Sequence, residues 1–149
     1  MGLRNHLNDD LKNAMRSRDR TRIDTVRQIK STVDTEESRK GTEFDDAAIE
    51  EIIVRLVRQH RESIEVFRQQ DRPELAAKEE AELDTLLSYL PEQLSPEKVR
   101  EMAQVIATEV GASGPADKGK VMGQLMPQVK GRAEGKIVNE MVTAVLADL

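Results

Sequence analysis

Between Ile49 and Phe67 the apolar residues Ile49, Ile52, Ile53, Leu56, Val57, Ile64 and Phe67 recur at spacings of three and four, with mostly polar or charged residues between them. Successive residues of an α-helix project about 100° apart, so this spacing gathers the apolar groups on one face and leaves the other wet. Asp45 stands just ahead of the run, where a short acceptor side chain caps a helix start. Such a helix is not stable by itself; its apolar face demands partners of the same kind, and the rest of the chain must supply them.

Composition agrees. Ala, Glu, Lys, Leu and Arg make up a little under half of the 149 residues, and the chain has two Phe, one Tyr and no Trp. That is the profile of a helical protein, poor in the aromatic surface of sandwiches and barrels. An all-α fold is expected. The absence of cysteine excludes thiol catalysis, disulfide scaffolds and thiolate zinc sites. With 23 basic and 28 acidic residues the net charge is -5, so an anionic partner must be held by a local patch. No uninterrupted apolar run is long enough to span a bilayer, and residues 1–10 lack the apolar stretch of a signal peptide; no membrane association and a cytoplasmic location are the default expectations.

Leu3, Leu7, Leu11 and Met15 predict a first short helix, with Asp19 capping a second that carries Ile23, Val26, Ile29 and Val33 and fades before Gly41. After the long third helix, Pro73 fits the first turn of a fourth, whose missing N–H costs nothing there. Leu75, Leu83, Leu86, Leu87 and Leu90 form its apolar face, and Pro91 ends it. Ser95 and Pro96 open a fifth helix with Val99, Met102, Ile106 and Val110 inward and Gly111 closing it. Six of the eight glycines lie after residue 110. A sixth helix is expected over residues 116–126, a turn over 127–132, and a seventh from residue 134 to the end. The organisation predicted is an N-terminal helical part of about four helices over residues 1–94 and a compact three-helix part over 95–149.

Most constellations have a plainer explanation than chemistry. Gly114 to Lys120 has phosphate-loop spacing, but Val121 stands where a hydroxyl should hold magnesium and no strand is predicted before it. Gly119 with Gly123, and Gly131 with Gly135, suggest close helix crossing. The carboxylates at Asp45-Asp46, Glu50-Glu51 and Glu79-Glu80 with Glu82 read as solvated faces. His60 follows the apolar stripe and reads as a core-edge histidine, having no second ligand four residues on, while His6 reads as exposed. Serines lack a glycine-flanked elbow and a nearby base, so no catalytic residue, metal ligand or cofactor is expected. Arg16, Arg18, Arg20 and Arg22 alternate and cannot share one helical face.

One cluster stands apart: Lys118, Lys120, Lys130, Arg132 and Lys136 put five positive charges against the single acid Glu134 within residues 118–136. Lys130 and Arg132 flank Gly131 in the turn, and Lys136 lies in the first turn of the last helix, whose unpaired N–H groups favour an anion. This Gly-rich basic turn is the predicted phosphate-binding element.

Three stretches carry a resemblance: Leu86-Leu87-Ser88-Tyr89-Leu90-Pro91-Glu92-Gln93-Leu94-Ser95, Lys118-Gly119-Lys120-Val121-Met122-Gly123 and Lys130-Gly131-Arg132-Ala133-Glu134-Gly135-Lys136-Ile137-Val138-Asn139. Together they resemble the YqeY (GatB/YqeY) family over essentially the whole chain, with Lys118 and Glu134 as departures from its pattern. The C-terminal part is similar to the tail domain of the GatB subunit of the glutamine-dependent tRNA amidotransferase, a small helical domain that helps engage tRNA. The resemblance therefore implies a non-catalytic module binding tRNA or other structured RNA through Lys118, Lys120, Lys130, Gly131, Arg132, Lys136 and Asn139. A carbon-nitrogen ligase label with glutamine as amido donor describes the larger enzyme, whose active sites lie outside the tail. The alternative is a protein-protein interaction module with no RNA role.

Overall fold

The computed structural model describes residues 2–149. Among them are seven α-helices and no strand: α1 (Leu3–Ser17), α2 (Arg20–Lys40), α3 (Asp46–Gln69), α4 (Pro73–Leu87), α5 (Pro96–Glu109), α6 (Lys118–Val129) and α7 (Gly135–Ala147), with a 3-10 turn at Pro115–Asp117. The fold is all-α. It divides into two compact units, one ending at Leu90 and one spanning Pro91–Leu149.

Local chemistry sets most helix ends. Side chains of Asp19, Asp45 and Ser95 accept from the backbone N–H groups of Arg22, Ala48 and Lys98, taking up donors that a helix start leaves orphaned. Pro73 and Pro96 occupy first-turn positions. Gly41 stops α2 in the left-handed region at φ 70°, where a side chain would be strained.

In the first unit α3 packs on α4 and α2, and α1 closes the bundle. Val26, Ile29, Ile53 and Leu86 are wholly buried at its centre, each contributing roughly 1.5–3 kcal/mol by burial. Met15 departs from expectation: it is exposed, because the last turn of α1 buries Ala14 instead. The end of α4 also differs. The helix stops at Leu87, and the N–H groups of Tyr89 and Leu90 bond back three residues rather than four. Pro91 has no N–H to continue the ladder and disfavours a helical Leu90; the tightened turn carries the Tyr89 side chain into the core.

In the second unit α5 packs on α7 and α6, and α7 returns to the 3-10 turn that precedes α6. Helix α6 continues through Pro127 to Val129, past the expected end, since Val129 is completely buried. Gly123, whose carbonyl loses a donor to the proline, is exposed to water with Pro127. The glycine pairs do not mediate helix crossing: a Cβ at Gly119, Gly123 or Gly135 would meet no atom within 4 Å. Gly131 is required for conformation instead, at φ 77°.

Candidate nucleic-acid interface

The turn between α6 and α7 is closed by its own backbone. The N–H groups of Arg132 and Ala133 donate to the Val129 carbonyl at 2.8 and 3.1 Å, and that of Lys130 donates to Met126 at 2.9 Å. Its carbonyls are then taken by the segment that opens the unit: the Leu94 N–H donates to Arg132 O at 2.7 Å, and Gln93 Nε2 donates to Gly131 O at 2.8 Å. The Arg132 guanidinium completes the clasp, with Nε donating to Glu92 O and Nη1 to Gln128 O, both at 3.3 Å. The stretches around Pro91 and around Gly131, two of those that carry the resemblance, therefore meet in space. Their shared task is to close the three-helix unit, and the partly exposed Arg132 guanidinium takes part in it.

The seven candidate residues do not converge. Lys118 and Lys120 sit at the start of α6; Lys130, Gly131 and Arg132 follow its end, with Lys136 and Asn139 beginning α7. The 12 residues of α6 separate the two groups by about 18 Å along the axis. At the first pole Asp117 accepts from the Ser113 backbone N–H at 2.8 Å and pairs with Lys120 at 3.7 Å. The Ser113 N–H holds the Asp117 carboxyl below its ordinary range. A carboxylate thus fills the pseudo-phosphate loop, and the nucleotide reading fails on geometry as well as on Val121 and the helical context, although the spacing fits.

At the second pole Lys130, Lys136 and Asn139 are exposed. Lys136 and Asn139 are three residues apart and so lie on one face of α7, within its first turns. The Glu134 side chain makes no capping bond to the N-terminus of α7. Exposed cations beside unpaired helix N–H groups attract phosphate, and the half-buried Glu134 works against it.

Two polar clusters in the first unit have no signature in the sequence. Tyr89 Oη donates to Asp10 Oδ2 at 2.6 Å and receives Arg22 Nη1 at 3.3 Å, while His6 stands 3.4 Å from the same carboxylate. Burial, then the Asp10 bond, pushes the tyrosine hydroxyl far above its ordinary range, so it acts as a fixed donor and not an acid. Further along, His60 Nε2 lies 3.4 Å from Glu79 Oε2 and 4.0 Å from Glu82 Oε2. Glu79 and Glu82 are therefore not a solvated face: α4 turns them onto α3, and burial followed by the charge of Glu79 raises the Glu82 carboxyl above its ordinary range. Spacing along one helix could not reveal ligands supplied by the next.

No helix among the described residues is long and apolar enough to cross a membrane. A family model described as Yqey-like protein matches residues 4–146. Among curated relatives, a protein of Pyrenophora tritici-repentis named "Altered inheritance of mitochondria protein 41, mitochondrial" is 32% identical over 143 residues, covering 94% of this chain and 78% of its own length. Proteins of the same name in Eremothecium gossypii and Vanderwaltozyma polyspora are 35% and 36% identical, over 57% and 56% of this chain and a little under half of their own lengths, 47% and 46%. These names correct the expectation of a cytoplasmic protein, since they point to mitochondria. Lacking an apolar span argues against a membrane helix but carries no cellular address.

Proposed function

Because the chain belongs to the Yqey-like protein family, we propose that its C-terminal part is a GatB-tail-like unit and that the chain is a non-catalytic helical module that binds tRNA by backbone and shape. The contact surface is the pole where α6 turns into α7. The observation that carries this reading is the exposure of Lys130, Lys136 and Asn139 around the start of α7, in a unit with no aromatic residue to stack on bases. Phosphate contacts supply affinity there with little sequence readout. Amidotransferase chemistry belongs to the larger enzyme and forms no part of the proposal.

Fluorescence anisotropy with labelled tRNA tests it. Reversing Lys130 and Lys136 to Glu weakens binding and reduces the slope of log affinity against log salt by about one for each phosphate no longer neutralised. Lys118→Glu, at the other pole, changes it less. Arg132→Glu is uninformative, since it opens the clasp. Binding unchanged by the Lys130 and Lys136 reversals overturns the assignment. A shallow groove of about 240 Å³ on α5, beside the exposed Val105, favours the second reading, a protein-docking surface; capture of a partner that Val105→Glu abolishes, with no tRNA binding, would establish that instead.

A further inference from the structure

We propose that His60, Glu79 and Glu82 form a binding site for a divalent transition cation of the zinc type, held between α3 and α4. The three donor atoms, one from each residue, lie within 4.8 Å of one another. Zinc bonds imidazole nitrogen and carboxylate oxygen at about 2.0–2.2 Å, which puts tetrahedral ligands about 3.4 Å apart. The His60–Glu79 separation is 3.4 Å already, and Glu82, at 4.0 Å, needs to close by a fraction of an ångström.

The histidine is set for the task. Its side chain is 6% exposed, and Nδ1 lies 2.9 Å from the Leu56 carbonyl one turn back. A carbonyl only accepts, so Nδ1 carries a hydrogen and Nε2 is the nitrogen that faces the two carboxylates, free to offer its lone pair to a bound cation. Metal-binding histidines are oriented in this way, by a carbonyl on the nitrogen that does not bind. The carboxylates stand three residues apart on α4, hence on one face, and bring two acidic groups to one imidazole. A dication balances that set. The imidazole selects against magnesium and calcium, which take oxygen shells, and favours zinc, cobalt or nickel. Three protein ligands leave the fourth position to water.

The test uses the full chain stripped by a chelator. Zinc chloride titrated by calorimetry is expected to bind at one equivalent and to raise Tm by several degrees when in about hundredfold excess over Kd. Cobalt is expected to give the visible absorption of a four-coordinate ion, and magnesium to give neither effect. Glu79→Gln and Glu82→Gln keep the volume of the site and each weaken zinc at least about tenfold. Far-ultraviolet circular dichroism and a cooperative thermal melt without metal show that both variants fold. No heat and no Tm shift at millimolar zinc overturns the proposal. So does binding that both Gln variants retain, or binding that His6→Ala removes, which would place the ion at His6 and Asp10 instead.

Discussion

The two units are built of the same element and held together by different means. In the first, buried Ile side chains at positions 29, 49, 52 and 53 fill the centre, and polar side chains brace helix to helix. Tyr89 joins Asp10 and Arg22, Arg4 reaches Glu37 at 2.5 Å, and Arg55 reaches Glu36 at 2.7 Å. In the second, the buried residues are mainly valines and alanines, among them Val99, Ala103, Ala107, Val121, Val138 and Val142, and the clasp at Gly131 is made largely of main-chain groups. Side-chain identity holds the first unit. Backbone geometry holds the second, which explains why its recognisable residues are a glycine, a proline and their neighbours.

The cores put that contrast under the heaviest load. Ile53 is completely buried, and Ile53→Ala is expected to cost about 3–4 kcal/mol through lost transfer energy and the cavity left behind. Val142→Ala, equally buried, deletes a smaller branch, leaves a smaller void and is expected to cost about 2 kcal/mol. Denaturant unfolding gives the magnitudes and hydrogen exchange their place. Each loss of protection should stay within its own unit; a Val142→Ala effect as large as that of Ile53→Ala would end the distinction.

A second pair sets the polar bracing of one unit against the clasp of the other. Tyr89→Phe removes the hydroxyl bonded to Asp10 and is expected to cost about 1.5–3 kcal/mol, the worth of a hydrogen bond to a charged group. Gly131→Ala leaves every donor and acceptor of the clasp in place, yet puts a Cβ at φ 77° and is expected to cost about 1–2 kcal/mol. Calorimetric Tm values rank them. Should Gly131→Ala be neutral, the clasp does not depend on backbone conformation, and the second unit is held by its side chains as the first is.

These pairs also show what a sequence discloses. Asp19, Asp45, Ser95, Pro73 and Gly41 are legible because a cap or stop acts within four residues of its own position. The stripe on α3 is legible because one helix creates its periodicity. Tyr89 on Asp10, Arg132 on Glu92 and His60 on Glu79 are not, since each joins residues that only the packing of separate elements brings together. The basic cluster reads as one patch because its members are close in sequence, but α6 lies between them and sets them at opposite poles. Glycines four apart mislead for a related reason: the spacing permits close approach without supplying a neighbour to approach.

A weaker effect concerns what the two units have in common. Each contains a carboxylate that accepts a loop N–H: Glu37 from Phe44 at 2.5 Å and Asp117 from Ser113 at 2.8 Å. In both, that backbone bond comes first among the causes that hold the carboxyl below its ordinary value, 4.5 for Glu37 and 3.8 for Asp117. A carboxyl that binds protons less readily when folded stabilises the fold above its unfolded pKa, and loses that contribution as pH falls through the folded one. Glu37→Gln and Asp117→Asn keep an acceptor oxygen and remove the charge. Both should therefore lower Tm slightly at pH 7 and lose their effect as pH falls through the folded pKa of the carboxyl each replaces. Thermal melts across that range read the difference. If Asp117→Asn shows this convergence and Glu37→Gln does not, the charge of Glu37 is not what secures its loop, and the units differ in their loops as they do in their cores. If both converge, the contrast ends at the cores and clasps, and loop capping is common to the whole chain.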